Sequence, residues 1–301
     1  MSHQLHTQHE RTFEQNRFVY PVLSRRAGGL SLGVNLNPDK ICNFDCIYCQ
    51  VDRTGQREMP FVEMDRLTME LEQMLEWVES GQIYESGKFS STPQALRRLN
   101  DIAFSGDGEP TTYQNFDAII GACAELKKSA GADLVKMVLI TNASMFHRPH
   151  VVRGLKILDV HRGEIWAKLD AGTEAYYHQI CRTPISWQQI LINITQAARI
   201  RPLVIQSLFM RVDGVPPSTE ELEAYCHRLQ EIVAAGGQLS LIQIYTVARK
   251  PAESCVSPLQ ESEVEAIGDL VRQRTGLQTA VFPGTTEIIK SRTRGTTDVV
   301  E

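Results

Sequence analysis

Short apolar runs alternate with longer amphipathic segments along most of this chain. Apolar runs at 30–36, 101–105, 135–141, 164–170, 203–209 and 239–245 predict six β-strands, and a run at 279–282 predicts a small additional strand. Because amphipathic segments separate these runs, the strands are expected to pair in parallel through right-handed crossovers. Six such units fit an α/β fold of the open (β/α)6 partial TIM barrel type better than a closed eightfold barrel.

The amphipathic segments themselves predict helices that pack on the sheet. In the first, apolar residues recur at positions i, i+4, i+7, i+8 and i+11, which are Leu67, Leu71, Met74, Leu75 and Val78. Later helices are predicted from the apolar stripes that begin at Phe116, Val151, Trp187 and Leu222. Ser186, Ser218 and Ser262 each precede a Gln or Glu by three residues, a spacing that predicts capped helix starts.

The composition is typical of one folded soluble protein. Apolar residues make up 42% and charged residues 22% of the 301 residues, and no linker or repeat divides the chain. We therefore predict one domain over residues 21–285, a flexible tail at 1–20 and a second tail at 286–301. The first twenty residues lack the apolar core of a signal peptide, and no run reaches the roughly 18 apolar residues of a membrane span. A cytoplasmic protein without a membrane partner is expected.

Charge and cysteine content narrow the classes of function. The formal charge of −5 and the pI of about 5.9 give no global field that attracts polyanions, so nucleic acid is a less favoured partner. Seven cysteines, three of them within eight residues, do not resemble a disulfide framework in a chain of this length. A reducing compartment is the better interpretation.

The most informative candidate motif is a short cysteine-rich segment directly after the first predicted strand. Cys42, Cys46 and Cys49 are spaced C-x3-C-x2-C, and Tyr48 stands before the last cysteine. A loop this short can place three thiolates around one [4Fe–4S] cluster and leave the fourth iron for a ligand that is not protein. The alternative is a structural zinc site, which needs a fourth Cys or His. No Cys or His lies between Cys49 and Cys123, so the spacing favours the cluster.

A second candidate motif follows the second predicted strand, at the end of the barrel where chemistry is expected. It reads Ser-Gly-Asp-Gly-Glu-Pro-Thr over residues 105–111, with Gly106, Asp107, Gly108 and Glu109 at its centre. The two glycines permit a close approach between the backbone and a ligand, and Glu109 adds an acceptor. Gly, Asp and Pro also favour an ordinary turn between a strand and a helix, and that alternative stays open for the motif alone.

Polar residues at the ends of later strands extend the predicted site. Period-two alternation places Trp166, Lys168 and Asp170 on one face of the fourth strand. A Lys and an Asp at this position favour a site, and a structural ion pair is the alternative. Arg211 and Arg249 follow the last two strands and are either anion ligands or solvated loop charges. The weaker candidates, each equally well a hydrogen-bonded interior residue, are Asn142, Gln206, Ser207 and Gln243.

Together these motifs resemble the radical S-adenosylmethionine (radical SAM) superfamily over about residues 21–250. The resemblance rests on the segments 24–34, 42–50, 105–111 and 168–171. They look similar to a largely uncharacterised radical SAM group that is distantly related to the tRNA wyosine-base synthases. Two departures stand out. Asp107 separates the glycines that are adjacent in the superfamily's Gly-Gly-Glu-Pro motif, and no cysteine precedes Cys42, whereas the synthases carry a second cluster on upstream cysteines.

The resemblance implies a partial barrel that holds a [4Fe–4S] cluster and S-adenosyl-L-methionine (SAM) chelated to the open iron. The implied metal ligands are Cys42, Cys46 and Cys49. It also implies that the glycine-rich motif meets the methionine ammonium and that Asp170 contacts the ribose or carboxylate. The implied cofactor-binding residues are Tyr48, Gly106, Asp107, Gly108, Glu109, Asn142, Lys168, Asp170 and Gln206. The implied partner is a single-electron reductant of the flavodoxin or ferredoxin type.

Three functions stay open from the sequence. The first is reductive cleavage of SAM to a 5′-deoxyadenosyl radical that abstracts hydrogen from an unassigned substrate. The second applies the same chemistry to a tRNA base or to a partner protein, for example to install a glycyl radical. The acidic balance and the absence of upstream cysteines weaken the tRNA version. The third is a non-catalytic Fe–S or zinc protein.

Overall fold

A computed structural model describes residues 13–24, 28–51 and 61–284 and gives a mixed α/β architecture. The strands are β1 Val19–Ser24, β2 Gly29–Val34, β3 Leu99–Phe104, β4 Lys136–Thr141, β5 Gly163–Lys168, β6 Leu203–Leu208, β7 Met210–Val212, β8 Leu239–Tyr245, β9 Val256–Pro258 and β10 Thr279–Phe282. The helices are α1 Met64–Glu79, α2 Phe116–Ser129, α3 Pro149–Val160, α4 Glu174–Cys181, α5 Trp187–Ile200, α6 Thr219–Ala234 and α7 Glu261–Thr275.

One curled sheet carries the site. Its strand order is β1-β2-β3-β4-β5-β6-β8-β10, and every neighbouring pair is parallel except β1 with β2. The predicted partial barrel is therefore confirmed, and the small strand predicted at 279–282 joins it at the edge as β10. A two-stranded sheet of β7 and β9, which the sequence pattern did not predict, stands apart. Within the described residues, no helix is long and apolar enough to cross a membrane.

The N-terminal part of the fold begins earlier than the sequence predicted. Phe18 and Val19 are fully buried, and β1 pairs antiparallel with β2, so residues 13–20 are part of the domain rather than of a flexible tail. The buried carboxylate of Glu70 in α1 holds this segment, because it accepts the backbone N–H groups of residues 17, 18 and 19 at 2.7–3.1 Å. The rest of the predicted N-terminal tail and the whole tail at 286–301 lie outside the described residues.

The helix starts depart from the predicted caps in two places. Ser218 caps α6 as predicted, but the side chain of Glu221 reaches away from that cap to the start of α4. The last helix, α7, is capped by Gln260 with Glu263 in a reciprocal box, so the prediction of a cap at Ser262 was wrong. Helix α4 was not predicted, since its eight residues are too few to display a clear period.

The sheet separates two apolar layers of unequal size. The larger core lies between the sheet and the helices. A small second cluster lies on the concave face and consists of Ala103, Val138, Trp166 and Val204. Because strand side chains alternate, each strand contributes to both layers, and the concave face is free to line a cavity.

Candidate functional site

A cavity of about 300 Å³ opens on the concave face of the sheet, at the low end of the range for ligand pockets. It is lined by segments that are far apart in the chain, from β1 and the cysteine loop to β8 and the residues beyond it. The sequence-predicted residues that line it are Cys42, Cys46, Tyr48, Cys49, Gly106, Asp107, Gly108, Glu109, Asn142, Lys168, Asp170, Gln206 and Arg249. The fold therefore brings the two motifs and the polar strand end together around one space.

The cysteine loop has no regular secondary structure, and the end of α4 fixes one side of it. The N–H of Asp45 donates to the carbonyl of Cys181 at 3.1 Å, and the N–H of Ile47 donates to the carbonyl of Ile180 at 3.0 Å. These carbonyls belong to the last turn of α4 and have no partner within the helix. The helix end and the loop thus satisfy each other's backbone groups.

The other side of the loop is held by residues that follow β8. The N–H of Ala252 donates to the carbonyl of Cys49 at 2.8 Å, and the N–H of Glu253 donates to the carbonyl of Ile47 at 3.4 Å. Arg182, just after α4, forms an ion pair with Glu253 at 2.6 Å. This pair links the two segments that bracket the loop.

The three predicted metal ligands are partly buried thiols that all border the cavity. No group of three His, Cys, Asp or Glu side chains in the described ranges lies close enough together to hold a single metal ion. An iron–sulfur cluster binds each thiolate through a different iron, so its ligands surround a larger volume than those of one ion. Three half-buried cysteines around a cavity, with Tyr48 beside them, fit a cluster of that kind.

A buried polar network connects the cysteine loop to the sheet. The hydroxyl of Tyr48 donates to Asp170 Oδ2 at 2.5 Å, and Lys168 Nζ contacts Asp170 Oδ1 at 3.2 Å. Lys168 also donates to the hydroxyl of Tyr245 at 2.7 Å and lies 5.2 Å from the Tyr48 ring centroid and 5.3 Å from that of Tyr245. The ion pair that was the alternative interpretation of this strand is formed, and both of its groups also border the cavity.

The charge states in this network follow from burial and partners. Burial by itself lowers the pKa of Lys168, but Asp170 and the Tyr245 phenol outweigh it, and the net pKa of the ammonium is raised. Burial, with the charge of Asp170 next, raises the pKa of Tyr48 well above its ordinary value. At neutral pH Lys168 is therefore an ammonium and Tyr48 a neutral phenol.

The glycine-rich motif packs against the segment that leads into the cysteine loop. A Cβ on Gly106 would lie 2.1 Å from Asn35 Oδ1, and one on Gly108 would lie 2.2 Å from the carbonyl of Ile41. Asp107 Oδ2 accepts from Asn35 Nδ2 at 2.8 Å. In the structure the glycines permit a close approach between two parts of the chain, and the expected approach to a ligand stays a prediction.

Glu109 is buried and its carboxylate accepts four hydrogen bonds from the protein. The donors to Oε1 are the N–H and hydroxyl of Thr111, at 3.1 and 2.5 Å, and the hydroxyl of Thr141 at 2.6 Å. The N–H of Asn142 donates to Oε2 at 2.7 Å. Burial raises the pKa of Glu109, and these bonds oppose that rise. Its carboxylate ties the glycine-rich turn to the end of β4.

The turn after β4 carries Asn142 next to a residue in the left-handed region. Ala143 has φ +61°, a conformation that costs a non-glycine residue on the order of 1 kcal/mol. Asn193 of α5 holds the turn, since its Nδ2 donates to the carbonyls of Ala143 and Ser144 at 2.8 and 3.0 Å. Asn142 Nδ2 in turn donates to Asn43 Oδ1 at 2.8 Å, which connects the turn to the cysteine loop.

Two of the weaker candidates, Ser207 and Gln243, lie outside the cavity, and so does Arg211. Ser207 points to the helix side, where its hydroxyl bonds the carbonyl of Leu169 and the hydroxyl of Tyr225, both at 2.6 Å. Gln243 accepts from Gln206 at 2.8 Å and does not border the cavity. Arg211 forms an ion pair with Glu263 at 2.5 Å beside the small second sheet, so it is not part of this site.

Several residues of the site were missed by sequence reasoning. The ring of Tyr20 in β1 packs over Gly33, and its hydroxyl donates to the carbonyl of Ser105, the first residue of the glycine-rich motif, at 2.9 Å. Tyr245 contacts Lys168, and Cys181 borders the cavity beside the cysteine loop. Alternation along β8 could have indicated Tyr245, but no local signal distinguishes Tyr20 or Cys181 from core residues.

Comparisons with known proteins show what this chain is similar to. The family model described as Radical SAM superfamily matches residues 36–225. A UPF0026 protein of Helicobacter pylori is 26% identical over 247 residues, which cover 81% of this chain and 70% of that protein. A UPF0026 protein of Methanocaldococcus jannaschii is 27% identical over 168 residues, 54% of this chain and 43% of that protein.

Two solved structures of another protein align with most of this chain. A structure of TYW1 with a lysine-pyruvate adduct bound has a TM-score of 0.45 and 16% identity, and the alignment covers 83% of this chain and 74% of that one. A crystal structure of archaeal TYW1 has a TM-score of 0.45 and 13% identity, and that alignment covers 81% of this chain and 72% of the other.

Proposed function

The chain belongs to the radical SAM superfamily, and we propose that it cleaves S-adenosylmethionine reductively at a [4Fe–4S] cluster held by Cys42, Cys46 and Cys49. The observation that carries this proposal is the shared cavity. The three thiols, the glycine-rich turn and the Lys168–Asp170 pair border one space of about 300 Å³. When bound, the cluster and SAM supply a one-electron cleavage of the sulfonium bond and a 5′-deoxyadenosyl radical that takes a hydrogen atom from the substrate.

The protein's part is to place the cofactors and to keep water from them. Tyr48, anchored on Asp170, holds the end of the cysteine loop against the sheet. The charged Lys168 faces the cavity and offers an ammonium to an anionic group such as the SAM carboxylate. Gln206, buried on the neighbouring strand, adds an amide. Hydrogen bonds and ion pairs to neighbouring residues hold these side chains in a defined orientation.

The remaining residues of the proposed SAM site divide into two groups. Gly106, Asp107 and Gly108 border the cavity along a turn, so their backbone groups are available to a ligand. The side chains of Glu109 and Asn142 form hydrogen bonds within the protein. Their proposed role is to position that turn and the cysteine loop. The electron is expected from a single-electron reductant of the flavodoxin or ferredoxin type.

Anaerobic reconstitution tests the proposal directly. Protein loaded with iron and sulfide, then given dithionite and SAM, should release 5′-deoxyadenosine and methionine, measured by liquid chromatography. Cys46→Ala should abolish release because it removes one of only three protein ligands. Cys123→Ala is the matched control, since Cys123 is fully buried in α2, away from the cavity, and should leave release intact. Release by Cys46→Ala at the wild-type rate would refute the proposal.

The same preparation separates the competing functions. A colourless chain that takes up zinc instead of iron would favour a metal protein without radical chemistry. Tight binding of tRNA that weakens steeply with salt would favour RNA as the substrate. Release of 5′-deoxyadenosine without RNA affinity would favour a small-molecule or protein substrate.

A further inference from the structure

The cavity extends beyond the proposed cofactor site, towards the end of the barrel where the parallel strands begin. Alternation along β3 turns Asp101, Ala103 and Ser105 towards it, and all three border it. At about 3.3 Å per strand residue, Asp101 lies roughly 13 Å from Ser105, the first residue of the glycine-rich motif. The cavity is therefore elongated along the strands, with the cofactor end at the cysteine loop and a floor at Asp101.

Two buried polar residues on neighbouring strands form this floor. Ser31 of β2 is directly opposite Asp101 of β3 in the register, and its hydroxyl donates to Asp101 Oδ1. Both residues border the cavity, although Ser31 is only 7% and Asp101 only 4% exposed. Because the two oxygens of a carboxyl group accept several hydrogen bonds, Asp101 can bind a ligand donor as well as Ser31.

Apolar side chains separate the floor from the cofactor end. Ala103, Val138 and Trp166 border the cavity and belong to the small apolar cluster of the concave face, and Ile140 packs against that cluster. Ala103 stands two residues after Asp101 on β3, and its single methyl group leaves room above the floor. Walls of this kind suit the carbon skeleton of a ligand rather than a second polar group.

We propose that the floor and the apolar walls above it form the substrate subsite, and that the substrate has an apolar body and an amine that the Ser31–Asp101 pair binds. This inference rests on the proposed function, because that function assigns the other end of the cavity to the cluster and SAM. A carboxyl group binds an ammonium through charge-assisted hydrogen bonds. An amine at the floor places the carbon skeleton between Asp101 and the cofactor end, where the hydrogen atom is to be removed.

Binding of simple probes to the full-length chain, purified without added iron, tests the subsite independently of the cluster. The probes are n-hexylamine, hexanoate and 1-hexanol, which share an unbranched six-carbon chain and differ in the head group. Their dissociation constants are measured at pH 7 by saturation-transfer NMR. We expect wild type to bind n-hexylamine at least about tenfold more tightly than the other two, because only the ammonium forms a charge-assisted hydrogen bond to the carboxyl group.

Three variants locate the binding site of n-hexylamine. Asp101→Asn keeps the shape of the side chain but replaces the carboxyl group by an amide, and it should weaken binding about tenfold or more. Ala103→Leu keeps the carboxyl group and fills the space above it, so it should also weaken binding. Asp117→Asn is the matched control and should bind as wild type does, since Asp117 lies on α2 outside the cavity and pairs with Arg153 at 2.6 Å.

Circular dichroism checks that each variant is folded. If Asp101→Asn does not fold, the head-group preference of wild type and the effect of Ala103→Leu decide the question. Equal affinity of wild type for the three probes, or no binding of n-hexylamine, would overturn the inference. An affinity for n-hexylamine that a folded Asp101→Asn leaves unchanged would overturn it too.

The proposed function is judged separately, by release of 5′-deoxyadenosine from reconstituted wild type. Release without selective binding of the amine would overturn this inference alone. Selective binding of the amine without release would overturn the proposed function, and with it the assignment of the amine as part of a substrate.

Discussion

Replacing Glu109 by Gln should destabilise the fold even though the side chain keeps its shape. The carboxylate of Glu109 is 3% exposed and accepts hydrogen bonds from Thr111, Thr141 and Asn142. An amide keeps one acceptor oxygen and turns the other position into a donor, which would face the N–H of Asn142 or the hydroxyls. At least one buried donor then loses its partner, at a cost of about 1–3 kcal/mol.

The cost is smaller than the loss of four hydrogen bonds to a charged group would suggest. Burial destabilises the ionised carboxylate and offsets part of the stability that these bonds contribute. The raised pKa of Glu109 reports this opposition. For a chain of this size, a loss of 1–3 kcal/mol corresponds to a fall in Tm of roughly 2–5 °C, measurable by circular dichroism. The matched control is Glu164→Gln, whose partner Lys136 lies at 3.0 Å with its side chain 51% exposed. Loss of such a surface pair should cost less than about 1 kcal/mol.

The pH dependence gives a second, independent check on Glu109. Because its folded pKa is raised, the folded chain keeps the carboxyl proton to higher pH than the unfolded chain. The contribution of this group to stability is fully present below the unfolded pKa and declines as pH rises through the folded pKa. The Tm gap between wild type and Glu109→Gln should therefore be wider near pH 4 than near pH 7. A gap that is absent, or that widens with rising pH, would refute the assignment of burial and bonding at Glu109.

Two further substitutions probe the supports of the cysteine loop. An added Cβ at residue 108 would lie 2.2 Å from the carbonyl oxygen of Ile41, so Gly108→Ala should displace that carbonyl and lower the iron bound on reconstitution. At Gly121 an added Cβ would lie 3.8 Å from its nearest neighbour, so Gly121→Ala should bind iron normally and gain about 0.5–1 kcal/mol. Equal iron content in the two variants would contradict this reasoning. Glu221→Gln turns one of the two buried acceptor oxygens that hold Gly172 and Thr173 at the start of α4 into a donor, and it should lower Tm and the iron content together. An unchanged iron content at lower Tm would mean that α4 does not support the loop.

The fold and the site could be predicted from the sequence to different extents. Periodicity predicted the parallel strands because buried strands leave continuous apolar runs. It missed β1, which begins Val-Tyr-Pro-Val inside the segment that was predicted to be a polar tail. The carboxylate of Glu70 accepts the N–H of Val19 and holds the start of this strand. Motif spacing identified Cys42 to Cys49, since ligands that share one cluster must be near each other in a short loop.

Local sequence patterns could not identify the partner of each polar group. Glu221 has the spacing of a capping box, yet its carboxylate binds Thr173 of another helix at 2.5 Å. Glu109 matched a cofactor motif, yet its acceptors are occupied by the chain. Both assignments depend on which segments the fold brings together, and a sequence pattern describes only the groups that need partners.

The arrangement around the cysteine loop explains how a segment without helix or strand can hold a defined shape. Its backbone is bonded to the end of α4 on one side and to residues 252–253 on the other, and its side chains reach Asp170 and Ser144. These contacts come from sequence-distant parts of the sheet and helices, so the order of the loop depends on the whole half-barrel being formed. A zinc finger, by contrast, gains its fold from the metal. In this protein hydrogen bonds to the rest of the fold hold both sides of the loop, and the three thiols border a cavity on the concave face of the sheet.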